Sequence, residues 1–334
     1  ALIFVGSLVI FFFLVSRISR PLNMLAGHAK EIAGHDFSKP LPSEDPIDRV
    51  LGEYRDEVGR LAQSFSFMKT ELSDNIHELM ETTASKERIL SELNVARSIQ
   101  MGILPKTFPA FPNCEAFDLY ALLEPAKSVG GDLYDFFFID DDHLCFTIGD
   151  VSDKGVPAAL FMVITRTLIK TLAGREKALA EMMAQINDTL SRDNPNAMFV
   201  TLIVGVLDIR TGEIRYANGG HNPPIVLSEG REGYYRKGLS GPPAGAMEDM
   251  PFSELELKLE PGDALFLYTD GVTEAMDEKN RMFSDQRLLE VVSGLSAQPV
   301  TEVIDGVMQE VASHTVNAPS QSDDITMLMI RYNG

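Results

Sequence analysis

The sequence predicts an α+β layered domain placed behind a long helical N-terminal third. Three observations carry that expectation. From Phe117 onward, short apolar runs, alternating or continuous, are bounded by Gly, Pro, Asn and Asp, which is the signature of strands. Helical patterns fall in groups between blocks of strands rather than in strict alternation, which disfavours a parallel sheet. Before Pro105 the pattern is helical throughout, with apolar spacings of three and four. A chain of 334 residues exceeds one ordinary domain and is expected to hold two or three units.

The first element is residues 1–15, uncharged and almost wholly apolar, with Phe11, Phe12 and Phe13 leaving no polar face. A spanning helix needs about 20 such residues, so this stretch reads as the C-terminal part of a transmembrane helix whose upstream portion is missing. Arg17 and Arg20 follow it, and the excess of cationic residues beside a span marks the cytoplasmic side. The expected location is therefore the inner (cytoplasmic) membrane, with everything downstream in the cytoplasm. Leu22, Leu25, Ala29 and Ile32 then recur at helical spacing up to Gly34, a Pro-rich connector covers 39–49, and a second helix opens near Asp56. Leu61, Phe65, Met68 and Leu72 are spaced by four, three and four, as in a coiled-coil seam. The seam continues through Ile76, Leu79, Ile89, Leu93, Ala96 and Ile99, with a phase slip near Asn75 of the kind a stutter produces, and Pro105 ends it. Two short amphipathic helices around an extended connector, with Pro21 and the Asp56-Glu57-Val58-Gly59 quartet, resemble a HAMP module. That resemblance covers 16–70 and implies a parallel homodimer, with 71–104 as a coiled-coil signalling linker.

The strand-rich segment is expected at 105–334. Strands are expected at 117–123, 134–139, 143–151, 199–209, 213–220, 223–227, 252–259, 264–270 and 325–332, with helices near 158–172, 178–190, 285–292 and 300–315. A formal charge of −20 argues against nucleic acid as a partner, because phosphate would be repelled by most of the surface, with room left only for local basic patches. Cys114 and Cys145 form no CxxC pair, so neither a disulfide scaffold nor a thiolate metal site is expected, and a reducing compartment fits.

Four strand ends carry aspartates: Asp132 and Asp135 in "GGDLYDFF", Asp150 and Asp153 in "IGDVSDKG", Asp270 in "LYTDGVTEA", and Asp323 and Asp324 in "SDDITML". One such residue is an ordinary turn former. Several carboxylates gathered at one sheet edge repel one another in a poorly hydrated cleft and need a counter-charge. Oxygen-only ligation, without His or Cys, selects hard divalent cations.

With "YANGGHNPP" between them, these words resemble, in order and over 105–334, a metal-dependent PPM-type serine/threonine phosphatase of the SpoIIE/RsbU branch. The resemblance implies two stacked antiparallel β-sheets flanked by α-helices, and two divalent cations, Mn²⁺ or Mg²⁺. It assigns Asp150 as the bridge between the ions, the Val151 carbonyl as a ligand, Asp132 as a support through water, and Asp270 and Asp323 as the remaining shell. Asp324 is expected to orient its neighbour or hold a weaker extra ion, and Asp135 and Asp153 to stand behind the ligands. Direct hydrolysis follows, by a water between the ions attacking phosphorus in line. Eukaryotic members carry His as a proposed general acid where this chain has Ser152, so the proton donor is open. His221 is one candidate, although a turn-stabilising role suits it better, and Lys127 is the best-placed residue for steering phosphate. The implied substrate is a phosphorylated STAS-domain anti-sigma-factor antagonist in a partner-switching pathway. Two other readings stand beside this one: a pseudo-phosphatase acting by docking alone, and a histidine kinase or nucleotide cyclase with His28, His35 or His77 as acceptor. No Gly-rich ATP-binding segment supports the kinase.

Overall fold

The structure is a computed structural model that describes residues 2–35, 56–174, 178–228, 231–316 and 323–334. The Pro-rich connector expected at 39–49 lies outside them. The chain divides into two compact units, Ala1–Ser91 and Glu92–Gly334.

In the first unit, helix α1 (Leu2–Ala33) is long and apolar enough to cross a membrane, with a mean hydropathy of 1.8 over its most apolar stretch. Its large side chains from Ile3 to Ile18 are all exposed. Helix α2 (Glu57–Ile103) begins where the sequence places it, and Leu25 of α1 packs with Val58 and Ala62 of α2, flanked by Phe65. His28 is buried there, its ring 6.4 Å from that of Phe65, a poor setting for a phosphoacceptor. Along α2, Leu61, Met68, Leu72, Leu79 and Ile89 remain exposed, as the seam of an unpaired coiled coil would.

The second unit is a sandwich of two antiparallel five-stranded sheets with helices on both outer faces. One sheet has the order β2 (Leu133–Phe138), β3 (His143–Val151), β4 (Val200–Asp208), β5 (Glu213–Gly219), β8 (Leu255–Lys258). The other runs β1 (Phe117–Glu124), β10 (Ile325–Tyr332), β9 (Ala264–Tyr268), β6 (Ile225–Leu227), β7 (Tyr234–Tyr235). Successive side chains point to opposite faces, and the long strands use both. Leu144, Phe146 and Ile148 of β3 meet Leu328 and Ile330 of β10 between the sheets. Cys145 and Val151 face outward under α3 (Val156–Leu172) and α4 (Leu179–Ser191). Met327 and Met329 do the same under α6 (Asp285–Gly294) and α7 (Val300–His314). Strands covered on both faces read as continuous apolar runs even in an antiparallel sheet, which is why β3, β4 and β10 do not alternate.

The expected strands and helices are present, most with ends shifted by a residue or two, while β6 and β8 are shorter than expected. Two elements escaped the sequence reading: β7, two residues long, and α5 (Asp270–Thr273), a single turn that starts on the aspartate expected to end β9. Both are too short to show a period.

Within its sheet, Gly205 of β4 lies directly opposite Phe146 of β3 and under its ring, since a Cβ there would collide with the ring. Gly205→Ala should therefore cost about 1–3 kcal/mol by overpacking. Chemical denaturation should show Phe146→Leu recovering part of that loss in the double variant, although the Leu change alone is also destabilising.

Candidate functional site

The antiparallel registers bring the acidic strand ends together in pairs. In one sheet Leu133 of β2 opposes Gly149 of β3, so Asp132 and Asp150 are neighbours at one edge. In the other, Met327 of β10 opposes Tyr268 of β9, which places Asp323 and Asp324 beside Asp270 at the start of α5. Each sheet thus supplies one acidic pair, and hydroxyls join the pairs. Asp132, 2% exposed, accepts from Thr269 Oγ1 at 2.9 Å and Thr326 Oγ1 at 2.5 Å, both from the opposite sheet.

The electrostatics show how close these groups stand. Burial first, then Asp150 and Asp324, hold the Asp132 carboxyl well above the ordinary carboxylate range, against the pull of its two threonine hydroxyls. Asp150 is pushed up to about 7, chiefly by burial and next by Asp270, while a hydrogen bond shared with Asp132 opposes the shift. Asp270 is raised by burial, Asp323 and Glu274, with Lys154 and the Gly271 amide opposing. The Asp132–Asp150 pair therefore tends to keep a proton unless a cation replaces it. Among the described residues no three His, Cys, Asp or Glu side chains close into a ligand cage. The carboxylates feel one another strongly while remaining short of that spacing.

The donor chemistry fits divalent cations. Acidic oxygens predominate, buried and mutually repelling, which is the environment that hard ions relieve. Gly131 keeps the approach to the Val151 carbonyl open, since a Cβ there would stand 2.9 Å from that oxygen. Gly130 and Gly271 allow similarly close passage, because a Cβ on either would collide with Asp324, at its carboxylate and its carbonyl respectively. Asp324 itself is occupied: its Oδ1 accepts from the Ala126 amide and its Oδ2 from the Gly131 amide, both at 2.8 Å. That favours the orienting role among the two expected of it. Lys127 is exposed, next to Ala126 on the same loop.

The other candidates have defined work elsewhere. Asp135 is fully buried, with Arg166 Nε at 2.8 Å and Lys170 Nζ at 3.5 Å, both from α3. The approach to Arg166 lies off the hydrogen-bonding direction, so the contact is an ion pair rather than a hydrogen bond. It ties the helix to the sheet. Asp153 is exposed at φ 74° and accepts the Lys154 amide at 2.9 Å, a turn role. His221 is buried between Thr201 Oγ1 at 2.9 Å and the Tyr268 carbonyl at 3.1 Å, and burial pushes its pKa down to about 4. A neutral, enclosed imidazole is a structural bridge, not an acid for a leaving group. Ser152 Oγ accepts the Phe199 amide at 2.9 Å.

Sequence reasoning did not single out Thr269, Thr326, Lys154 or Gln100. Gln100 on α2 donates through Nε2 to the Gly130 carbonyl at 2.6 Å and accepts the Gly130 amide at 3.2 Å. The seam pattern hid it, because a lone polar residue at a helix end looks solvated, yet Gln100 is 5% exposed.

Two outcomes follow from this geometry. In chelator, Asp150→Asn should raise stability at pH 7.5 by on the order of 2 kcal/mol and leave it nearly unchanged at pH 4. The sign follows from a folded pKa near 7 against 3.8 unfolded: the folded state keeps its proton longer, so the wild type loses stability as pH rises through that window. His221 slopes the other way over part of it but is common to both proteins and cancels. Thermal melts at the two pH values check the difference, and excess Mn²⁺ should reverse the ranking at pH 7.5. Gln100→Ala strands two buried backbone groups and should destabilise by about 1–3 kcal/mol in denaturant titration.

Comparison with known proteins agrees with the fold and the motifs. The family described as "Stage II sporulation protein E (SpoIIE)" matches residues 140–333, and the HAMP domain matches residues 13–74. Protein IcfG of Synechocystis is 34% identical over 311 residues, 84% of this chain and 47% of that protein, so the chain spans about half of that relative. Phosphoserine phosphatase RsbU of Bacillus subtilis is 27% identical over 248 residues, covering 74% of this chain and 71% of RsbU. Among solved structures, the SiaA-PP2C domain of Pseudomonas aeruginosa superposes with a TM-score of 0.63 at 24% identity, over 75% of this chain and 99% of that one, a likeness of fold. The family match covers more than half of the residues, over the strands and loops that bear Asp150, Asp270, Asp323 and Asp324, so the chain belongs to the SpoIIE family of PPM-type phosphatases and carries a HAMP domain ahead of it.

Proposed function

We propose that this chain is a membrane-tethered, signal-regulated protein serine/threonine phosphatase that depends on two divalent cations, Mn²⁺ or Mg²⁺. The observation that carries the reading is the meeting of Asp132 and Asp150 from one sheet with Asp270 and Asp323 from the other. Asp150, Asp270 and Asp323, with the Val151 carbonyl, would hold the cations directly, and Asp132 would support them from behind. Bound there, the ions would supply an activated water and charge stabilisation for in-line attack on a phosphoserine or phosphothreonine. The chain's own part is positioning: the threonine hydroxyls fix Asp132, the amides of Ala126 and Gly131 fix Asp324, and Lys127 offers an exposed cation for the incoming phosphate. No covalent phosphoenzyme is needed. Cys145 is buried, with its thiol pushed up to about 12 by burial, then by Asp135, and is unsuited to nucleophilic attack.

Regulation would run through α2. The exposed seam favours a parallel homodimer of the HAMP helices and the coiled coil, and Gln100 grips the loop that carries Asp132. A signal that turns or shifts α2 would alter that grip. The apolar α1 and the cationic Arg17 and Arg20 support a span in the inner membrane with the catalytic unit in the cytoplasm. A phosphorylated STAS-domain protein is the proposed substrate, in a partner-switching pathway that changes transcription without this chain touching nucleic acid.

Hydrolysis of a phosphoserine protein should require Mn²⁺ or Mg²⁺ and fall by about 10²-fold or more in Asp150→Asn. Phosphate release measured with and without EDTA decides it. Undiminished activity in EDTA would overturn the metal assignment, and wild-type protein that binds no divalent ion by calorimetry would favour docking without catalysis.

A further inference from the structure

The loop between β3 and α3 presents a cation to the acidic site in a way the proposed hydrolysis does not explain. Lys154 Nζ stands 2.7 Å from Asp323 Oδ2, with the two side chains 34% and 27% exposed. The backbone around it is held firmly. Asp153 lies at φ 74°, a left-handed conformation that costs a non-glycine residue energy. Gly155 lies at φ 90° with ψ −153°, a region essentially reserved for glycine. The Asp153 carboxylate accepts the Lys154 amide at 2.9 Å. On the other side, the Ser152 amide donates to the Phe199 carbonyl at 2.8 Å, and Ser152 Oγ accepts the Phe199 amide at 2.9 Å. Strain of this kind persists only where the surroundings over-determine it. Here what it accomplishes is to aim one ammonium group at one member of the acidic set.

We infer that Lys154 is a built-in counter-cation for Asp323, which an incoming divalent ion must displace, so that this lysine sets the site's affinity for metal. The inference rests on the metal-site reading proposed above. The chemistry is an exchange of one cation for another on the same carboxylate: no bond other than the ion pair breaks, and the lysine leaves protonated. The charge balance favours the exchange, since a divalent ion neutralises two carboxylates where an ammonium neutralises one. The geometry agrees, because the carboxylate that Lys154 engages at 2.7 Å is one of those proposed to hold the ion directly. Displacement would free the loop at the head of α3, so metal loading and the position of that helix would be linked.

The test uses the whole chain and two measurements. Calorimetric titration with Mn²⁺ should show Lys154→Met and Lys154→Gln binding tighter than wild type by about 3- to 10-fold, the scale expected for removing a half-exposed ion pair that competes with the ligand. Mass-spectrometric amine labelling of the wild type should show Lys154 poorly modified in EDTA and more heavily modified in saturating Mg²⁺, with exposed Lys127 as the internal reference. Unchanged or weaker Mn²⁺ binding in both variants overturns the inference, as does labelling of Lys154 that does not rise with Mg²⁺. Wild-type protein that binds neither ion removes the metal-site reading itself, an outcome distinct from a wild type that binds and variants that do not differ from it.

Discussion

Everything at the catalytic edge follows from one electrostatic constraint: carboxylates that would separate in water are held together, several of them at least half buried, by two stiff sheets. A buried carboxylate without compensation is expensive, and like charges beside it add to the cost. The fold answers with partial measures. Hydroxyls of Thr269 and Thr326 hydrogen-bond Asp132, backbone amides satisfy Asp324, and Lys154 pairs with Asp323. The Asp132–Asp150 pair is left with pKa values displaced upward by burial and by neighbouring carboxylates. That residue of unrelieved repulsion would drive the cation binding proposed for this site. A site that had satisfied every oxygen internally would have no affinity left for an ion.

The sandwich is what keeps such a site from relaxing. β3 and β10 are covered on both faces, with Phe146 and Leu328 inside the sandwich and Cys145 and Met327 beneath the outer helices. Neither strand can slide or flip to separate the acids without exposing large apolar surface, and a slip of one residue would exchange the two buried faces. The threonine bridge matters for the same reason. Thr269 and Thr326 belong to one sheet and Asp132 to the other, so the two acidic pairs share a fixed spacing that neither sheet could set alone. The Asp135–Arg166–Lys170 cluster does a comparable job one layer out by pinning α3 to β2, and the loop that bears Lys154 enters that helix.

Much of this was legible in the sequence, for reasons that also explain what was not. The strands could be placed because burial leaves continuous or alternating apolar runs, and the four acidic strand ends stood out because Asp and Gly interrupt those runs at recurring places. The site's ingredients were therefore readable, and a family resemblance ordered them. The threonines were not readable, because Thr is a common strand residue and only the sheet-to-sheet packing shows that two of them point at one carboxylate. Asp135 was expected to stand behind the ligands, yet the side-chain alternation of β2 sends it to the opposite face, toward Arg166 and Lys170 of α3. Lys154 was hidden by ordinariness, since a lysine in a turn is usually solvated, and only the strained backbone on either side marks it.

Gln100 bears on how a helical relay could differ from a spacer. A spacer needs only to connect, and its last turns can be solvated. The end of α2 is instead built into the catalytic unit: Leu104 is buried in the sandwich core, the Pro105 carbonyl accepts from the Tyr134 hydroxyl, and Gln100 holds both polar groups of Gly130. Gly130 is two residues from Asp132, and Gly131 between them is tied to Asp324. The loop is thus gripped from the helix on one side and from β10 on the other, with almost no free chain to absorb a displacement. A rotation of α2 that broke the Gln100 contact would leave a buried carbonyl and amide without partners, a cost on the order of 1–3 kcal/mol. An energy of that size is enough to shift a two-state equilibrium about 5- to 150-fold. The backbone amides of that loop are therefore a short physical route from the end of α2 to the aspartates.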